Sequence, residues 1–139
     1  MKSFVLDASV ALRWFLDKSV TPYAVHVKQF LLDGRLAVVP ALWHLEMANA
    51  LAVAERRRVL ESAELERALR DIEGLLRNVI DTDPSHFSLR ETCKLARSFR
   101  LSAYDACYLN LALRDGLPLA TLDDDLRRAA RSANVQIVS

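Results

Sequence analysis

The stretch FVLDASVALRWFL, residues 4–16, decides the fold. Its first three residues form a short apolar run that ends at Asp7, which is typical of a buried strand. The residues from about Ser9 to Leu16 then carry a helical pattern, so the carboxyl end of the strand opens directly into a helix. A strand followed at once by a helix is the repeating unit of a parallel sheet.

The same alternation of strand and helix patterns continues to the end of the chain. We predict further strands at residues 36–39, 79–80, 117–121 and 135–138. We predict further helices at residues 23–32, 42–57, 62–76, 85–99, 101–114 and 123–132. Strands and helices that alternate over the whole length predict an α/β fold in three layers, with a parallel sheet between two layers of helices.

The composition is that of a globular domain with one hydrophobic core. The chain has 139 residues, of which 52% are hydrophobic and 27% charged, with only 3 Gly and 4 Pro. These values exclude disordered and collagen-like proteins, and we expect a single domain over residues 1–139. The net charge is only +1, but 15 of the 19 cationic side chains are Arg, which suits local contacts to phosphate.

The sequence also indicates the compartment. The amino-terminal MKSFVLDAS reaches Asp7 after three apolar residues, which is too few for the core of a signal peptide. No apolar run approaches the roughly 18 residues of a membrane span. Cys93 and Cys107 lie in helical patterns without metal-type spacing, which predicts two buried thiols. We therefore expect a cytoplasmic protein with no membrane partner.

Four acids stand out against their apolar surroundings. Asp7 and Asp123 follow predicted strands, and the carboxyl ends of parallel strands share one edge of a sheet. Glu46 and Asp105 lie in helices that are apolar on nearly every side, where a carboxylate is costly unless it is neutralised. If the four acids meet, burial and repulsion raise their pKa values, and a divalent cation removes that cost. A set of oxygen ligands without Cys or His favours Mg²⁺ or Mn²⁺.

Each acid also has an ordinary structural explanation when it is considered alone. Asp7 and Asp123 can cap the helices that follow them, and the run from Asp123 to Asp125 can be a solvated first turn. Glu46 and Asp105 can each pair with an Arg. This view needs four separate explanations, whereas a single metal site accounts for all four acids.

The segments that carry these acids resemble the motifs of the PIN-domain family, over essentially the whole chain. They are VLDAS at 5–9, LEMANAL at 45–51, LSAYDACYL at 101–109 and LATLD at 119–123. Each motif is short and unspecific alone, but the four in this order and spacing are specific. The resemblance implies a parallel five-stranded sheet with the strand order 3-2-1-4-5.

Length and layout are most similar to the toxin halves of VapBC-type bacterial toxin–antitoxin modules. This similarity implies a Mg²⁺- or Mn²⁺-dependent endoribonuclease that cuts structured RNA, such as transfer or ribosomal RNA. It also implies a homodimer that is held inactive by a small cognate antitoxin, whose carboxy-terminal segment enters the acidic groove, often with an Arg.

Together these arguments predict a role for individual residues. The acids expected to bind metal and to act in catalysis are Asp7, Glu46, Asp105 and Asp123. The side chains expected to support them by hydrogen bonds are Ser9, Asn49 and Thr121. The candidate contacts to RNA are Arg13, Arg56, Arg57 and Arg58. The last three also end a helix, where cations complement the helix dipole, so both explanations stay open. Whether Asp124 or Asp125 also reaches the metal stays open too.

Three other functions compete with a ribonuclease. A binding module that only captures a partner's Arg in the acidic pocket would show no cleavage. A haloacid-dehalogenase-like phosphatase also begins with a strand and an Asp, but it has a second acid two residues later, where this chain has Ser9. A response-regulator receiver needs paired acids near its amino terminus and a Lys after a late strand, and the sequence shows neither.

One His and two Tyr that are near the acids in sequence are expected to take no part in catalysis. His44 precedes Glu46 by two residues, roughly 200° around the helix, so it is predicted to face away from the site. Tyr104 and Tyr108 have the aromatic faces that bases stack on, but the apolar helix around them favours packing in the core.

Overall fold

In a computed structural model, residues 3–139 of the chain are described, and strands alternate with helices along them. The elements in chain order are β1 (Ser3–Leu6), α1 (Ala8–Leu16), α2 (Pro22–Leu32), β2 (Leu36–Val39), α3 (Leu42–Arg56), α4 (Ser62–Asn78), β3 (Ile80–Thr82), α5 (Leu89–Phe99), α6 (Ala103–Asp115), β4 (Leu119–Ala120) and α7 (Asp124–Ser132). The strands form one parallel sheet in the order β3-β2-β1-β4. The α/β fold with a parallel sheet is therefore as predicted.

The first strand lies inside the sheet and is buried on both faces. Phe4 pairs with Ala37 of β2, and Leu6 pairs with Ala120 of β4. Phe4, Val5 and Leu6 are fully buried, which explains why this strand is a continuous apolar run rather than an alternating one. Its carboxyl end places Asp7 at the edge of the sheet beside the end of β4.

The predicted fifth strand is reduced to a single bridge. Leu119 pairs in parallel with Ile137, on the side of β4 that faces away from β1. The Leu119 N–H donates to the carbonyl of Gln136 at 2.8 Å, and the Val138 N–H donates to the carbonyl of Leu119 at 2.9 Å. Because β4 has only two residues before the chain bends into α7, the pairing cannot extend. The last segment thus occupies the fifth place of the order 3-2-1-4-5, in a sheet of four strands.

Helices cover both faces of the sheet. Helix α1 packs against α2 and α3, and α3 packs against α4. Helix α6 packs on β1 and β4 and also contacts α5 and α7. Because α6 rests on the central strands, six of its residues are buried, from Ala106 to Ala112. This packing brings the start of α6 close to the carboxyl edge of the sheet.

Several predicted element boundaries are wrong. The fourth strand covers Leu119–Ala120 rather than residues 117–121. The third strand covers Ile80–Thr82 rather than residues 79–80. The fifth helix begins at Leu89 rather than at residue 85, and Ser88 is its cap, whose hydroxyl accepts the N–H of Glu91 at 3.3 Å. The sequence Thr82-Asp83-Pro84 is typical of a helix start, but the carboxylate of Asp83 is bound by Arg114 instead.

The two cysteines differ in their exposure. Cys107 is buried as predicted, but Cys93 is exposed, because it lies on the outer face of the amphipathic helix α5. Within residues 3–139, none of the helices is both long and apolar enough to cross a membrane.

Candidate active site

One open depression of about 320 Å³ is lined by all four predicted acids. Asp7 follows β1, Asp123 follows β4, Glu46 lies in the second turn of α3 and Asp105 in the first turn of α6. Asn49 lines the same depression, one helical turn after Glu46. Acids that are nearly 120 residues apart in sequence therefore share one surface at the carboxyl edge of the sheet.

Asp7 does not cap the helix that follows it. It occupies the position before α1, but its side chain makes no capping hydrogen bond. Its Oδ2 instead accepts hydrogen bonds from the hydroxyls of Ser9 and Thr121, both at 2.7 Å. The side chain is only 4% exposed, and this burial raises the pKa of Asp7, although the two hydroxyl donors lower it. The capping explanation for this acid is wrong.

Ser9 and Thr121 also connect Asp7 to the turn between β4 and α7. The Ser9 hydroxyl oxygen accepts the N–H of Leu122 at 3.0 Å, and the Thr121 hydroxyl oxygen accepts the N–H of Asp123 at 3.0 Å. Each hydroxyl thus accepts a backbone hydrogen bond and donates to the carboxylate, so its direction is fixed. These contacts hold Asp7 and Asp123 in a defined relative position.

Glu46 is held by a residue whose role the sequence did not indicate. The hydroxyl of Tyr108 donates to Glu46 Oε1 at 2.5 Å. Tyr108 is fully buried, so it packs in the core as predicted and cannot stack on a base. Burial raises the pKa of Glu46, the Tyr108 hydrogen bond lowers it, and the negative charge of Asp7 raises it. The two residues are 62 positions apart, and no local pattern could have joined them.

Asp105 is destabilised both by burial and by the charges of the other acids. Its N–H donates to the hydroxyl of Ser102, the cap of α6, at 3.1 Å. Within residues 3–139, its carboxylate has no hydrogen-bond or ion-pair partner within bonding distance. Burial, followed by the charges of Asp123, Asp7 and Glu46, raises the pKa of Asp105 to about 6.

Asp123 has two roles in the structure. Its Oδ1 caps α7 by accepting the N–H of Leu126 at 2.9 Å, so the capping explanation is correct for this oxygen. The side chain also lines the depression with the other acids. Asp124 and Asp125 lie in the exposed first turn of α7, and Asp125 is 3.7 Å from Arg128.

The acids of the depression have no cationic partner among the described residues. The ion pairs in residues 3–139 join Arg13 to Asp17, Arg114 to Asp83 and Asp115, and Arg128 to Asp125. The alternative in which Glu46 and Asp105 each pair with an Arg is therefore wrong. The negative charge of this surface is not balanced by the protein.

The arginines predicted to contact RNA are not among the residues that line the depression. Arg13 binds Asp17 at 2.8 Å, so its guanidinium is already engaged. The residues 56–58 are exposed at the far end of α3, about 15 Å along the helix axis from Glu46. His44 is turned towards Thr82, whose hydroxyl lies 2.8 Å from its Nε2.

Tyr104 does not pack in the core. It is 64% exposed, because it lies in the first turn of α6, before the helix reaches the sheet. The prediction of core packing is therefore wrong for Tyr104 and correct for Tyr108.

The donor chemistry of the depression fits a hydrated divalent cation. Among residues 3–139, no three acidic, His or Cys side chains converge closely enough to enclose an ion in their present rotamers. Mg²⁺ and similar ions, however, keep several waters and bind through few carboxylates. An all-oxygen set around a depression with room for water, with mutually repelling carboxylates, matches that preference.

Comparisons with known proteins agree with this geometry. Residues 4–132 match the model of the PIN domain. The structure is similar to that of PAE2754 from Pyrobaculum aerophilum, with a TM-score of 0.66, 25% identity, and coverage of 91% of this chain and 78% of that chain. It shares its fold with FitAcB from Neisseria gonorrhoeae, with a TM-score of 0.64, 15% identity, and coverage of 98% and 96% of the two chains. A comparison with curated proteins finds no significant match. Because the family model spans nearly the whole chain, this protein belongs to the PIN domain family.

Proposed function

We propose that this protein is a divalent-metal-dependent endoribonuclease that hydrolyses phosphodiester bonds of structured RNA, as the toxin of a VapBC-type pair. One observation carries the proposal: four carboxylates from four segments line one open depression, and no cation of the described chain balances them. Membership of the PIN domain family supports a nuclease in general. The proposal further specifies Mg²⁺ or Mn²⁺ as the metal ion and RNA as the substrate.

Some residues of the site hold the acids in place, and others have carboxylate oxygens that are available to bind a ligand. Ser9 and Thr121 donate to one oxygen of Asp7, which leaves Oδ1 without a hydrogen-bond partner among residues 3–139. Asp105 has no such partner for either oxygen, and it lies across the depression in the first turn of α6. These free oxygens are the ones available to a ligand.

Asp7, Glu46, Asp105 and Asp123 would hold the cation directly or through water. A bound Mg²⁺ or Mn²⁺ would supply the charge that acidifies an attacking water and offsets the charge developing on the phosphoryl oxygens. Asn49 lies at the same rim and can donate to a carboxylate, a water or a phosphate oxygen. Because the depression is open, it can receive a strand of a polymer as well as a small molecule.

RNA cleavage by the purified protein tests the proposal. We expect Mg²⁺ or Mn²⁺ to support cleavage of bulk transfer and ribosomal RNA, and EDTA to stop it. Asp7→Asn and Asp105→Asn are expected to lower the rate by roughly 100-fold or more, with the fold retained by circular dichroism. Asp71→Asn, on the exposed surface of α4, is the matched control and keeps full activity. Cleavage retained by the first two variants, or none by the wild type, contradicts the proposal.

A catalytically silent binding module is the second candidate. Its support is the same unbalanced charge, which can receive the guanidinium of a partner's Arg as well as a metal ion. In that case the wild type cleaves no RNA with either metal, but it binds an Arg-containing peptide, and Asp7→Asn weakens that binding. Metal-dependent cleavage that Asp7→Asn abolishes excludes this alternative.

The proposal includes two protein partners that the family resemblance implies. One is a small antitoxin that places an Arg in the acidic depression, and the other is a second copy of this chain. Light scattering is expected to give twice the mass of one chain, and a single-chain mass contradicts the homodimer. Co-expression with the product of a small neighbouring gene is expected to yield an inactive complex.

A further inference from the structure

The hydroxyl of Tyr108 joins three elements at the site. It donates to Glu46 Oε1 of α3 at 2.5 Å and accepts the N–H of Ala8, the first residue of α1, at 3.4 Å. Ala8 follows Asp7 directly, and Asp105 lies one turn before Tyr108 on α6. One buried oxygen atom therefore contacts the segments that carry three of the four acids.

We propose that Tyr108 is a positioning residue, whose hydroxyl fixes the carboxylate of Glu46 relative to Asp7 and Asp105. This inference rests on the proposed function, because it assigns Tyr108 a role toward the ion that these acids would hold. Tyr108 is fully buried, so its hydroxyl is not exposed to a ligand in the depression, and the role assigned to it runs through Glu46.

The geometry separates this role from ordinary core packing. The ring of Tyr108 is sufficient to fill its place in the core, and a Phe would fill nearly the same volume. The hydroxyl donates a hydrogen bond to Oε1 of Glu46. This bond fixes the carboxylate group and therefore also the direction of its second oxygen, Oε2. A Glu side chain has three rotatable bonds, and without this bond its half-buried carboxylate would sample several rotamers.

Tyr108→Phe tests the inference, with Mn²⁺ alone as the probe and no RNA present. By titration calorimetry we expect Mn²⁺ to bind the variant about 10-fold more weakly than the wild type, as is usual for the loss of a partner that orients a metal ligand. Tyr104→Phe on the same helix is the exposed control and keeps the wild-type affinity. Tyr23→Phe loses a hydroxyl bond of 2.8 Å to the carbonyl of Val138, so it controls for a general loss of one hydrogen bond.

A double-mutant cycle gives the readout that a purely structural role would not move. In the Glu46→Ala background, Tyr108→Phe is expected to cause no further loss of Mn²⁺ affinity, since the group that the hydroxyl positions is gone. If the two losses add fully, Tyr108 acts on stability or on another residue, and the inference is overturned.

The remaining outcomes are also decisive. Equal Mn²⁺ affinity for Tyr108→Phe and the wild type overturns the positioning role and leaves the proposed function standing. If the wild type binds no Mn²⁺ and cleaves no RNA, the proposed function fails and this inference fails with it. If Tyr108→Phe does not fold, 4-aminophenylalanine at the same position supplies a donor of similar reach. It is expected to bind Mn²⁺ with near wild-type affinity, and a 10-fold loss there contradicts the role.

Discussion

Asp105 illustrates what the site costs the fold in the absence of an ion. Its carboxylate is half-buried, faces three other acids, and has a pKa raised to about 6. We expect Asp105→Asn to stabilise the metal-free protein at pH 7.5 by about 1–2 kcal/mol, because it removes a charge that is poorly solvated and repelled. The loss of a favourable charge in the first turn of a helix offsets this by about 0.3–1 kcal/mol, which is the smaller effect.

The pH dependence of this stabilisation follows from the direction in which the pKa of Asp105 is shifted. The pKa of Asp105 is higher in the folded protein than its ordinary value of 3.8, so the folded state holds more protons than the unfolded state between about pH 4 and 6. Stability of the wild type therefore falls as the pH rises through that window. Urea unfolding in EDTA is expected to give nearly the same free energy of unfolding for the wild type and Asp105→Asn at pH 4. Above pH 7 the variant is expected to be more stable by the full amount. The same difference at every pH contradicts the argument.

Asp123 allows capping and ligand binding to be separated by two substitutions. Asn caps helices as well as Asp does, so Asp123→Asn is expected to keep the stability of α7 while lowering metal-dependent cleavage. Asp123→Ala is expected to lose cleavage and in addition about 1 kcal/mol of stability. Thermal unfolding and cleavage rates of both variants check this. Unchanged cleavage in Asp123→Asn would leave Asp123 with a structural role alone.

At the scale of single residues, the sequence indicated which acids were unusual but not what holds them. Asp105 and Glu46 stood out because neighbours in the same helices are apolar, and that contrast is a local property. The contacts of Tyr108 with Glu46 and of Thr121 with Asp7 join residues 62 and 114 positions apart. Such pairs depend on how helices pack on the sheet, which periodicity and capping do not specify.

At the scale of elements, a paired Arg fixes the loop between β3 and α5. Both terminal nitrogens of Arg114 bind the carboxylate of Asp83 at 3.1 Å, and one also donates to Ser85 at 3.1 Å. The hydrogen bonds from Arg114 hold the pKa of Asp83 below its usual range. Because Arg114 is 42% exposed, solvent screening limits the contribution of the pair to at most about 1 kcal/mol.

Loss of the pair between Arg114 and Asp83 is expected to change the stability of the protein, with a pH dependence opposite to that expected for Asp105. We expect Asp83→Asn to destabilise the protein by up to about 1 kcal/mol at pH 7. Since the folded pKa of Asp83 is lowered, its contribution is present above about pH 4 and is lost as the pH falls through the folded pKa. Urea unfolding at pH 7 and pH 3 measures it. A deficit of equal size at pH 3 would show that the ion pair is not the cause.

Helices with strong local signals were placed well, and elements fixed by distant contacts were not. Thr21-Pro22 and Gly116 mark helix ends that the structure also shows. The start of α5 was predicted too early. An Asp that caps a helix and an Asp that binds a distant Arg look the same in the sequence, and Asp83 binds Arg114. The last strand was predicted at full length, because nothing local reveals that its partner β4 has only two residues.

At the scale of the whole molecule, parallel strands explain why the acids meet. Every strand of the sheet ends at the same edge, so residues that follow β1 and β4 are neighbours whatever their separation in sequence. Helices α3 and α6 then bring one acid each to that edge. The alternation of strand and helix patterns was sufficient to predict that Asp7 and Asp123 share an edge, whereas Glu46 and Asp105 were inferred from their apolar helices and from the family resemblance.

The surface beyond the depression yields a prediction for RNA binding. If the exposed cluster Arg56–Arg58 contacts phosphates, its replacement by three Gln in an Asp7→Asn background is expected to reduce the slope of log K against log salt by up to about three. The matched control replaces three exposed Arg of α4 with Gln, namely Arg67, Arg70 and Arg77. Fluorescence anisotropy with a structured RNA measures both. Equal slopes for the two triple variants would remove the cluster from the RNA surface.

The location of a bound cation is the most direct test of the account. Crystals grown with MnCl₂ and measured near the manganese absorption edge would show the ion by anomalous scattering. We predict a peak in the depression within bonding distance of an oxygen of Asp7 or Asp105, and its loss in Asp7→Asn crystals. A peak bound elsewhere on the chain, or an empty depression at millimolar Mn²⁺, would contradict the claim that these four acids form a metal site.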